Sequence, residues 1–79
     1  MRFKDLYKVI DKRNLLIVNE AYETIVYLST SATLEERSEN RKKAQKIADE
    51  DEYFVFDVSL IECDHPFIAV AIKKDSSKT

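Results

Sequence analysis

Tyr53-Phe54-Val55-Phe56-Asp57-Val58-Ser59-Leu60-Ile61, then Phe67-Ile68-Ala69-Val70-Ala71-Ile72, is the stretch on which the fold turns. Phe54, Phe56, Val58 and Leu60 alternate onto one face while Asp57 and Ser59 take the other, the period of two that marks a strand. Cys63-Asp64-His65-Pro66 reads as a turn, and the returning strand points Ile68, Val70 and Ile72 inward. The chain therefore ends in a β-hairpin. Its second face is the unusual one. Tyr53, Val55, Ile61, Phe67, Ala69 and Ala71 all point there, broken only by Asp57, Ser59 and Lys73. A sheet with one wetted face usually alternates more cleanly, so a partner surface or a second copy of the chain is expected to cover it.

Working back from this hairpin, Leu34 to about Asp49 contains no helix breaker. Thr33 with Glu36 three residues on is a capping box, which satisfies orphan N–H groups at a helix start. Glu39 and Lys43 stand at the favourable i,i+4 spacing. Before this helix, Leu15-Leu16-Ile17-Val18 and Tyr22 to Leu28 are apolar or β-branched runs separated by Asn19-Glu20-Ala21, a first hairpin with Asn19 as its positive-φ residue. Phe3, Leu6, Tyr7 and Ile10 fall on one helical face, so residues 2–11 read as a short amphipathic helix, with Asn14 as its stop. The order is α-β-β-α-β-β. The expected fold class is α+β: a four-stranded antiparallel sheet from two hairpins, with two helices packed on one face. Residues 1–74 form a single domain, and residues 75–79 are expected to be a disordered polar tail.

Composition narrows the function. There is no glycine in the 79 residues. Glycine supplies the tight turns and close backbone approach of phosphate-cradling loops, dinucleotide turns and nucleophile elbows, so those sites are excluded. No cofactor and no small-molecule substrate are expected. No apolar run approaches the ~20 residues of a membrane span, and the start of the chain lacks the pattern of a signal peptide. Cys63 stands alone, which excludes an internal disulfide and points to a reducing cytoplasm.

The net charge is −2, but the signs are segregated. Residues 1–13 hold five bases and two acids, residues 41–46 four bases and no acid, and residues 47–65 seven acids and no base. Such blocks produce patches of opposite potential that steer charged partners. On the second helix Leu34, Ala44, Ile47 and Ala48 share one sector, and Arg37 and Arg41 project into its middle. Two readings are open. The first turns overhang the sheet and the arginines snorkel to water. Alternatively Arg37 and Arg41, with Lys42 and Lys46 beside them, form a basic face for carboxylates or phosphates.

Asp49-Glu50-Asp51-Glu52 follows where the helix ends, and acids there oppose the helix dipole. This run is either a solubilising stop or a negative patch that engages a basic groove on another protein. Glu62-Cys63-Asp64-His65 is the only cluster of chemically capable side chains. A thiolate nucleophile needs an oriented base, which an exposed turn holds poorly, and the set falls short of a zinc pattern. No catalytic or metal-binding residue is assigned. Nucleic acid alone ranks behind protein as a partner, because acids flank the basic block at both ends and no known module is present.

The opening Phe3-Lys4-Asp5-Leu6-Tyr7-Lys8-Val9-Ile10-Asp11 is similar to the start of short accessory proteins of bacteriophages and mobile elements. In those, a KDLxKVID-like helix leads into a hairpin and the chain closes on alternating strands. Asn19-Glu20 here replaces their usual glycine turn. The resemblance implies an accessory factor, such as an anti-CRISPR-like inhibitor of a host defence system, and it implies no functional residue. The expectation is a non-enzymatic cytoplasmic protein that binds another protein or a protein–nucleic acid complex through charged patches, namely Arg37, Arg41, Lys42, Lys46 and Asp49 to Glu52. A self-associating structural module, dimerising through the outer sheet face, is the alternative.

Overall fold

Both hairpins form. The computed structural model describes residues 1–74, and the tail expected over 75–79 lies outside the described residues. The elements are α1 (Phe3–Val9), β1 (Leu15–Val18), β2 (Thr24–Leu28), α2 (Leu34–Glu50), β3 (Tyr53–Ile61) and β4 (Phe67–Lys74). The α+β class and the α-β-β-α-β-β order are those expected. The four strands form one sheet in the order β2-β1-β4-β3.

That sheet is mixed, not purely antiparallel as expected. β1 pairs with β2, and β3 with β4, in antiparallel fashion, but β1 and β4 meet in parallel along Leu15↔Ile68 to Val18↔Ala71. The reason is the length of α2. Its 17 residues carry the chain about 25 Å at 1.5 Å per residue. β3 therefore starts at the end opposite the one where β2 finished and runs parallel to it. Reversing once more, β4 runs with β1.

Both helices lie on one face. Phe3, Tyr7, Ala44 and Ala48 pack against Leu15, Ile17, Val26, Leu28, Val70 and Ile72 in a single core. Ten residues of this size in one cluster are a modest core for a chain that leaves much of its surface in water. Leu34, expected in the apolar sector of α2, is instead 80% exposed, because the first turn of the helix overhangs the sheet. No helix among the described residues is long and apolar enough to cross a membrane.

A β-bulge redistributes the faces of β3. The register passes from Val55↔Ile72 to Asp57↔Ala71, leaving Phe56 as the extra residue. Before it, Tyr53 and Val55 turn inward against the core, where Phe54 and Phe56 were expected. After it, Val58 and Leu60 are cross-strand partners of the inward Val70 and Ile68, yet are 52% and 62% exposed. That end of β3 extends past the helices that would cover it. Arg2 bridges Phe54, and the Val55 N–H donates to the Met1 carbonyl at 2.8 Å, so the first two residues shield the start of this edge.

The outer face carries an aromatic strap. The Tyr22 ring meets Phe56 edge-on at 6.1 Å, and its hydroxyl lies 3.4 Å from Asp57 Oδ2. Tyr22 belongs to the β1–β2 loop and Asp57 to β3, so this contact crosses both central strands. Beneath it the paired Val18 and Ala71 are only 6% and 2% exposed although they face outward. The strap covers part of the face that was expected to need a partner. Tyr27 and Phe67 stack at 5.6 Å further along.

Turn chemistry differs from expectation at two places. Tyr22, not Asn19, takes the positive φ of 61°. Asn19 instead organises the loop through its side chain, whose Oδ1 accepts from the N–H groups of Ala21 and Glu23 at 2.9 and 3.0 Å. α1 stops at Val9, with Ile10 already extended, so Asn14 is not its cap. Asn14 joins strands instead: its carbonyl accepts from the Ile68 N–H at 3.1 Å and its Oδ1 from the Thr30 N–H at 3.4 Å.

Candidate functional site

α1 and α2 lie side by side on the sheet, and the valley between them is basic. One cleft of about 320 Å³ is lined by Lys4, Tyr7, Lys8, Lys12, Gln45, Ala48 and Asp49. A second, of about 350 Å³, is lined by Tyr7, Lys12, Ser38, Arg41, Lys42 and Gln45. Sharing Tyr7, Lys12 and Gln45, the two form one continuous groove. It ends in a narrow crevice where Lys12, Arg13, Arg37 and Arg41 gather round Leu28 and Ser29.

The local sequence dictates these banks. Lys4 and Lys8 are one turn apart on α1, and Lys12 follows at the same interval just past its end. Arg37, Arg41 and Gln45 repeat that spacing along α2, and residues four apart are neighbours on a helix face. Ala44 and Ala48 are buried and small, which lets α2 sit close to the sheet. The Tyr7 ring forms the floor, with Lys12 Nζ 4.7 Å from its centroid. Burial pushes the Tyr7 hydroxyl pKa up, and the Arg41 charge across the groove opposes that rise.

Most of these cations have no carboxylate partner. The ion pairs among the described residues are Arg2–Asp51, Lys4–Asp51, Arg13–Asp11 and Lys74–Glu52. Lys8, Lys12, Arg37, Arg41, Lys42 and Lys46 are absent from that set, and Glu39 and Lys43 do not pair despite their spacing. At the crevice, Arg13 NH2 lies 2.8 Å from Asp11 Oδ2. The Arg13 side-chain and backbone donors hold the Asp11 carboxyl down at about 2.

The acidic run is divided in its roles. Asp51 is the left-handed C-cap of α2, with φ 53°. Arg2 donates to the Asp51 carbonyl at 2.9 Å, and the cations of Arg2 and Lys4 approach its carboxylate at 3.5 and 3.4 Å. Basic residues from the N-terminal segment thus replace the Lys or Arg that the helix end lacks, and Asp51 is a structural residue. Asp49 accepts from Gln45 Nε2 at 2.8 Å, at the mouth of the groove. Glu50 and Glu52 are exposed, the latter 4.0 Å from Lys74.

Of the basic residues singled out in the sequence, Arg37, Arg41 and Lys42 line the groove or its end, whereas Lys46 lines none of its clefts and stands further round α2. Lys8, Lys12 and Tyr7 were missed. Their signal was present in the four-residue spacing of Lys4, Lys8 and Lys12, but nothing in the sequence said which helix α1 would lie beside. Cys63 and His65 are both exposed, and the Cys63 thiol donates to the His65 carbonyl oxygen, 3.2 Å away. Among the described residues, no three His, Cys, Asp or Glu side chains gather in a way that would hold a metal ion.

Compared with known protein families, curated proteins and solved structures, the chain gives no match.

Proposed function

We propose that this chain is a non-enzymatic accessory protein that binds a macromolecular partner through charged surface patches, as an inhibitor of a host defence system does. One observation carries the reading: Lys8, Lys12, Arg37, Arg41 and Lys42 converge on one groove with no carboxylate of the described residues in ion-pair range. A surface evolved only for solubility intersperses both signs. The inhibitor role is the reading that the opening Phe3 to Asp11 suggests by its resemblance to phage accessory proteins. The partner is a protein or a protein–nucleic acid complex, met in the cytoplasm.

Charge reversal at Arg37 and Arg41 tests this reading. The double variant is expected to melt at the same temperature as the parent and to lose the proteins that the parent retains from a host lysate. Equal retention by parent and variant would remove the basic surface from the function.

A second reading, self-association, draws on the apolar surface left on the sheet. On the outer face Tyr27, Phe56 and Ile61 are exposed, and exposed apolar surface of this kind marks interaction sites. Light scattering separates the two readings: a particle of 9.2 kDa at every concentration excludes a dimer, and a mass twice that supports one.

A further inference from the structure

Resting on the partner-binding reading above, we infer that the groove between α1 and α2 is a docking site for a short, extended, acidic protein segment. Charge complementarity identifies the occupant. Lys8 and Lys12 on one bank face Arg41 and Lys42 on the other, and all four lack a carboxylate partner within the described chain. Between them runs a floor made by Tyr7.

Carboxylates fit this groove better than a nucleic acid strand. Single strands are gripped by aromatic faces on which bases stack, but Tyr7 is buried and its ring is already covered by the Lys12 ammonium. The exposed rings of the molecule, Tyr22, Tyr27 and Phe56, belong to the opposite side of the sheet. The groove is also short. From Asp49 at one mouth to Arg37 at the other, α2 rises about 18 Å at 1.5 Å per residue. A longer polyanion would run on to Asp49 at one end and towards the acids of the first turn of α2 at the other. An extended peptide advances about 3.3 Å per residue, so roughly five or six residues fill the site.

The test is fluorescence anisotropy with labelled hexaglutamate, a six-nucleotide oligothymidylate and hexalysine, at low salt (about 0.02 M) where surface charges are least screened. Hexaglutamate is expected to bind the parent, more tightly than the oligothymidylate, and hexalysine not at all. Lys8→Glu with Lys12→Glu is expected to weaken hexaglutamate binding at least about tenfold. Lys43→Glu, on the far side of α2, is expected to leave it within about twofold. Melting curves from circular dichroism verify that each variant folds. Equal weakening by Lys43→Glu would overturn the site, as would tighter binding of the oligothymidylate. If hexaglutamate fails to bind while Arg37 and Arg41 reversal still abolishes partner capture, the acidic-segment assignment falls and the partner-binding function stands. If neither effect appears, both fall.

Discussion

Tyr22 holds a backbone conformation that a bulky side chain normally avoids, with φ at 61°. Left-handed backbone costs a non-glycine residue roughly 1–2 kcal/mol, and this chain contains no glycine to occupy it. The ring offsets that cost by lying across Phe56 and over the outward-facing Val18 and Ala71. The two contributions are separable. Tyr22→Ala loses the ring and keeps the backbone penalty, whereas Tyr22→Gly loses both. In urea unfolding both variants are expected to be less stable than the parent, with Tyr22→Gly the more stable of the two by about 1 kcal/mol. A reversed order would mean that Tyr22 is unstrained. The sequence pointed to Asn19 for this conformation, because asparagine tolerates it best. That preference lost to a tertiary contact, since a residue at position 22 carries its ring from the β1–β2 loop onto Phe56 of β3.

At the scale of elements, α2 is the most legible part of the chain. Thr33 caps it as the spacing predicts, its Oγ1 accepting from the Glu36 N–H at 3.2 Å. Thr33→Ala is expected to lower stability by about 1 kcal/mol. That is a fall in melting temperature of roughly 4–8 °C for a domain of this size. A smaller loss for Thr33→Ser would identify the hydroxyl as the cause. The other end of α2 was not legible. An acidic run looked like a poor terminus on its own, and nothing local revealed that Arg2 and Lys4 would arrive to neutralise Asp51. β3 was half legible for a similar reason. Its alternation identified a strand, but the bulge at Phe56, before which Tyr53 and Val55 pack against the core, is something no period-two pattern encodes. The groove belongs to the same class: each bank could be read in the sequence, but their apposition could not.

For the whole molecule, class and element order followed from periodicity, whereas the parallel meeting of β1 with β4 followed from the length of α2. The sheet depends on that seam, which joins two hairpins that are otherwise complete in themselves. Val70 lies in it, paired with Ile17 on one side and Val58 on the other. The hairpins close over short loops, but Leu15 reaches Ile68 only after nearly the whole chain has been gathered in. Non-local pairing of this kind slows folding, because the entropy of closing a long loop is lost before any contact compensates for it. In stopped-flow experiments Val70→Ala is therefore expected to act mainly by slowing refolding, with little acceleration of unfolding. A chain arrested before β4 is complete would hold two apolar edges with no centre to join them, so the interval before the last strand arrives is when aggregation threatens it most.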